Sequence, residues 1–120
     1  MTDVPLPLTI VIAAIVINTM ERFSLDSYVV DVLMPDLVGH DRRPATFIVY
    51  LFLWRHAAKS RRDAIPISLQ TIATKTGLSK STVQAAIRHL RRRKLIDPTL
   101  AATAAAPMRK IMRPWAQTAR

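Results

Sequence analysis

The sequence has no cysteine, and its 120 residues include only two glycines, Gly39 and Gly77. Without thiols there are no disulfides, no cysteine-bearing zinc sites and no thiol nucleophile, and nothing implies an oxidising compartment. Phosphate-cradling loops such as GxGxxG need several residues without a Cβ. Two isolated glycines exclude them, and with them most nucleotide-dependent enzymes. Acidic residues are also scarce, with 8 Asp and Glu against 18 Lys and Arg and a formal net charge of +10. Such an excess in so short a chain points to a polyanionic partner, nucleic acid ahead of an anionic membrane. The length suits one small domain and leaves no room for a separate catalytic one.

The charge is unevenly spread. Residues 1–41 hold six acids against Arg22 alone, a net −5, whereas residues 55–94 hold eleven bases against Asp63, a net +10. The chain is therefore read as an apolar run and acidic arm over 1–43, a folded domain over 44–115 and a tail over 116–120.

Near the start, Leu6 to Ile17 is apolar apart from Pro7 and Thr9. A spanning helix needs about 20 apolar residues and a secretory signal needs a basic leader. The run is too short for the first and has only Asp3 before it, so it reads as a buried strand or short helix, its β-branched content leaning to strand. Met20 offers a second start, from which the chain opens MERFSLDSYVV and residues 1–19 are not native. Peptides from residues 2–19 in the native protein would refute that start. Residues 27–34, SYVVDVLM, alternate as a short strand or extended arm that Pro35 stops. Pro44 suits the first turn of a helix running to about Lys59, and its residues Phe47 to Trp54 leave almost no polar face. Such a helix is central to its domain or part of a subunit interface. Ile65 and Ile67 around Pro66 could form a short edge strand.

The informative stretch is SLQTIATKTGLSKSTVQAAIRHLRRRKLI, Ser68 to Ile96. Ser68 is a good N-cap for a helix with Leu69, Ile72 and Ala73 on one face, and Gly77 ends it. Leu78 plugs the turn. Ser79 caps a second helix with Val83, Ala86, Ile87 and Leu90 inward and Lys80, Ser81, Gln84 and Arg88 outward. Two short helices joined by a glycine turn, the second amphipathic, make a helix-turn-helix.

With Ala73, Gly77, Leu78, Ser79, Val83, Ile87, Leu90 and Leu95-Ile96 on its pattern, this stretch resembles the helix-turn-helix of winged-helix DNA-binding proteins. These include bacterial transcription regulators and the DNA-binding modules of phage and plasmid replication initiators. The resemblance implies a mainly α fold with a small β wing around a trihelical helix-turn-helix core. It also implies a recognition helix over about residues 80–93 whose amino end enters the major groove. Lys80, Ser81, Gln84 and Arg88 are then the base readers, Lys and Arg suiting guanine O6/N7 and Gln suiting adenine N6/N7. Ser79, Thr82, Lys75, Arg91, Arg92 and Lys94 are the phosphate contacts. Leu95-Ile96 and residues 110–113 would supply the wing's strands. Between them DPTLAATAAAPM lacks the glycine or Asn-Gly turn of a tight hairpin, so the wing is expected to be long, irregular or partly disordered. Trp115 is expected to pack on the core.

The blander alternatives bound this reading. A basic run such as Arg91 to Lys94 is often a solvated helix end, and four successive residues cannot all point one way. His40, His56 and His89 lack ligand partners at metal spacing, although His89 could approach a phosphate. Ser68, Ser79 and Ser81 lack a paired base, which favours caps and contacts over nucleophiles. Asp26, Asp31, Asp36 and Asp41 recur every five residues and are read as keeping the arm off the DNA. No catalytic, metal or cofactor site and no small-molecule effector is expected. The expected protein is a cytoplasmic regulator of transcription that binds double-stranded DNA, with a homodimer built through the N-terminal arm and helix 44–59. The alternatives are a replication or partition factor of a mobile element and a winged-helix protein-interaction module.

Overall fold

The structure, a computed structural model, describes residues 21–99 and 106–118. The apolar run, the Met20 start and residues 100–105 of the wing lie outside the described residues. Among those described no helix is long and apolar enough to cross a membrane.

Residues 27–34 are helical, where alternation had predicted a strand. The first helix, α1, consists of two π-wound stretches, Val29–Leu33 and Pro35–His40, joined through Met34. Val29, Leu33 and Leu37 recur every four residues and are buried, whereas Tyr28, Val30 and Val32, the alternating set, are exposed. Burial of one helical stripe outweighs the strand preference of β-branched residues. Pro35 does not end the helix. It lacks an N–H and crowds the preceding turn, and the wider i→i+5 winding accommodates it.

Helix α2, Pro44–Ser60, starts on its proline and ends at Arg61, whose φ of 55° is left-handed. Its apolar surround makes it the centre of the domain: Val49, Tyr50 and Leu53 are fully buried. It packs against α1, α3 (Leu69–Thr76), α4 (Lys80–Arg92) and β1 (Ala64–Pro66). The Tyr50 hydroxyl donates to the Met112 carbonyl at 3.0 Å and Trp54 Nε1–H to the Ser24 carbonyl at 2.8 Å. These bonds satisfy the polar tips of the two large aromatics that α2 carries inside.

β1 pairs antiparallel with β2, Met108–Lys110, with Ile65 opposite Arg109. Beyond β2, Ile96 bridges Ile111, Asp97 N–H bonds to the Lys110 carbonyl at 2.8 Å and Met112 N–H to the Leu95 carbonyl at 2.9 Å. The two wing segments therefore meet as expected, and the edge strand around Pro66 joins them. The result is a mostly helical fold with a small antiparallel sheet, a trihelical core of winged-helix type. The last helix, α5 (Pro114–Thr118), brings Trp115 against Tyr28 at 4.5 Å between centroids, and its Nε1–H donates to Asp26 at 3.0 Å. Trp115 packs on the domain, as expected.

Candidate functional site

The turn between α3 and α4 is built as its residues dictate. Ser68 Oγ accepts from Thr71 N–H at 3.1 Å, and Ser79 Oγ accepts from Thr82 N–H at the same distance. Gly77 takes a φ of 82°, a conformation that costs a residue with a Cβ about 1 kcal/mol. Leu78 sits half-buried against the core. Val83, Ile87 and Leu90 turn α4's apolar stripe inward. At its far end Lys94 adopts a left-handed φ of 58° and Leu95 N–H returns to the Leu90 carbonyl at 2.9 Å, which aims the chain into the wing.

The opposite face of α4 carries Lys80, Arg88, Arg91 and Arg92 with no acid. Lys80, Gln84 and Arg88 line one open cleft of about 550 Å³, bounded by the start of α3 at Ser68 and by Arg109 of β2. Ser81 is exposed on the neighbouring face, outside that lining. Three of the four base-reading candidates are thus brought together and the fourth stands beside them. Of the phosphate candidates, Lys75, Arg92 and Lys94 are exposed, Thr82 is half-buried, and Arg91 is half-buried in the cleft. Ser79, itself exposed, donates its hydroxyl hydrogen to Thr82 Oγ1 at 2.7 Å. The strand pairing of β2 with β1 raises one wall of this cleft beside α4.

Sequence reasoning missed a second arrangement. Arg93 donates to both Asp36 and Asp41, and His89, buried, lies 2.7 Å from Asp41 through Nε2. Arg92 donates to His89 Nδ1 at 3.2 Å, so the network sets the tautomer: Nε2–H donates to Asp41 while Nδ1 accepts. Hydrogen bonds from His40, then His89, together with the Arg93 charge, hold the Asp41 carboxyl down from 3.8 to about 2. His89 therefore points at a carboxylate inside the fold and not at a phosphate. Asp36 and Asp41 clamp α1 to the end of α4. Asp36, His40 and Asp41 also offer ligand atoms within 4.8 Å of one another. A divalent cation there would have to displace the Arg93 guanidinium.

The other missed residue is Arg109, 5 % exposed on the inner face of β2. Its Nε–H donates to the Ile67 carbonyl at 2.9 Å. Burial first, and then the charge of Arg91, push its guanidinium below its ordinary value.

Residues 43–96 match the family model of a helix-turn-helix domain. No curated protein and no solved structure matches the chain.

Proposed function

We propose that this chain, whose residues 43–96 form a helix-turn-helix domain, is a sequence-specific binder of double-stranded DNA that regulates transcription. The observation that carries the reading is the outward face of α4, capped at Ser79 and bearing four cations and no acid within such a domain. An α-helix fits the major groove, where Lys80 and Arg88 can donate to guanine O6/N7 and Gln84 can bond both ways with adenine. Ser81 reaches either base type. Ser79, Thr82, Lys75, Arg91, Arg92 and Lys94 hold the flanking phosphates and fix the register without reading sequence.

One recognition helix reads few base pairs, and a second copy about 34 Å away extends the site. The homodimer proposed here forms through α1 and α2. Its support is the exposed apolar side chains that flank the buried stripe of α1 and stand on α2, namely Tyr28, Val30, Val32, Met34, Val38 and Ile48, each 37–42 % exposed.

The test is selection from a random-sequence duplex pool at two salt concentrations, followed by sequencing of the bound fraction. An enriched motif is expected, repeated as two half-sites. Salt-sensitive binding without enrichment would remove sequence specificity, and no binding at low salt would refute the reading.

A further inference from the structure

Arg109 and Arg91 stand in an arrangement that the groove-reading role of α4 does not explain. Arg109 is 95 % buried, yet no acid pairs with it among the described residues; its Nε–H donates to the Ile67 carbonyl, and its terminal nitrogens, which have no acceptor among those residues, open into the cleft. Arg91 Nε, by contrast, is buried without a partner. A buried guanidinium is costly unless opposite charge or hydrogen bonds compensate it, and two facing each other add repulsion. The chain does pair a basic side chain with acids elsewhere, since Asp36 and Asp41 both hold Arg93. Here it brings two arginines to one cleft with Lys80 and Arg88 on the rim and no carboxylate in the lining. The cleft also meets the start of α3, where the amides of Leu69 and Gln70 have no intrahelical acceptor and the helix dipole favours an anion.

We infer that the cleft between the start of α3, α4 and β2 is an oxyanion site in which Arg109 and Arg91 hold a phosphate group. The donors come from three directions, which suits the tetrahedral oxygens of a phosphate better than the two coplanar oxygens of a carboxylate. With a duplex phosphate the site rests on the DNA-binding reading and adds Arg109 to the contact already given to Arg91; with a small phosphorylated molecule it does not require that reading. The phosphate has two sources. It belongs to a duplex backbone, in which case the wing strand and α4 grip one phosphodiester together. Otherwise it belongs to a small phosphorylated molecule, whose occupancy would then compete with DNA for Gln84 and Arg88.

The experiment uses the full chain and inorganic phosphate as the probe, with thermal unfolding and the phosphorus NMR line width followed against chloride at matched ionic strength and pH. Arg109→Lys and Arg91→Gln are the test variants, and Arg62→Gln, at an exposed position away from the cleft, is the control. A small-molecule site gives saturable stabilisation and line broadening by phosphate, weakened about tenfold or more in both test variants and unchanged in the control. Arg91→Gln suffices if Arg109→Lys does not fold. A backbone site gives no saturable phosphate effect, but Arg109→Gln, at a position the flanking-phosphate contacts do not include, lowers the slope of log affinity for duplex against log salt by about one unit. Duplex binding with neither effect overturns the oxyanion site and leaves the DNA-binding reading standing. Phosphate binding lost in the variants, with no duplex binding, does the reverse.

Discussion

Replacing Asp41 by Asn tests whether the acidic arm is held to the end of α4 by charge. The carboxylate accepts from His40 Nδ1 at 3.0 Å and from His89 Nε2 at 2.7 Å, and also from Arg93. Its pKa falls from 3.8 to about 2. At roughly 1.36 kcal/mol per unit, that shift corresponds to about 2.4 kcal/mol of stability. The cluster lies at the edge of the domain, where solvent screens it, so about 1 kcal/mol is the expected contribution. Because the folded value lies below the unfolded one, the contribution is complete above about pH 4 and is lost as pH falls from 3.8 through about 2. Urea unfolding followed by circular dichroism from pH 7 down to the acid limit reads both quantities. Asp41→Asn should lose about 1 kcal/mol at pH 7 and show a correspondingly shallower decline below pH 4. Equal stability at pH 7, or parallel acid declines for the two proteins, would refute the clamp.

Gln84→Ala is expected to relax preference at particular base pairs by about 1–3 kcal/mol, whereas Arg92→Ala should weaken all duplexes alike and lower the salt slope by about one unit. Binding to a panel of single-base variants of the selected site separates them, and equal loss on every sequence for Gln84→Ala would remove it from the base readers. Val83→Asp buries an unpaired charge at a fully buried position and should abolish the folded circular dichroism spectrum. A folded variant with normal binding would reverse the assigned orientation of α4. Gly77→Ala meets no atom within 4 Å, so its cost is the left-handed backbone alone, about 1 kcal/mol in thermal unfolding. Val30→Lys, at an exposed apolar position on α1, should shift sedimentation toward the monomer without destabilising the fold. An unchanged sedimentation profile would exclude α1 from the dimer.

The helix-turn-helix was legible because its signals are local. Ser68 and Ser79 cap the helices that follow them, Gly77 adopts the conformation its missing Cβ allows, and the i, i+3, i+4 spacing of Val83, Ala86, Ile87 and Leu90 selects the buried face. The wing segments at Leu95-Ile96 and Ile111 were legible for the same reason, as short apolar runs. Residues 27–34 were not, because two periodicities coexist there. The strand alternation was visible in the β-branched residues, and the four-residue recurrence of Val29, Leu33 and Leu37 crosses Pro35, a residue normally taken as a stop.

Charge was the least legible property. Composition and position established a cationic second helix of the helix-turn-helix after an acidic arm, since net charge and helical periodicity follow from residue order. Which cation meets which anion depends on side chains remote in sequence, such as Asp36 with Arg93 or Ile67 with Arg109. The sequence by itself therefore determined the caps, the turn and the outward basic face. Only the tertiary structure decided that Arg93 is neutralised by the arm while Arg91 and Arg109 face a cleft without an acid. Ion pairing and desolvation act over a few ångströms of space, and chain packing alone sets those distances.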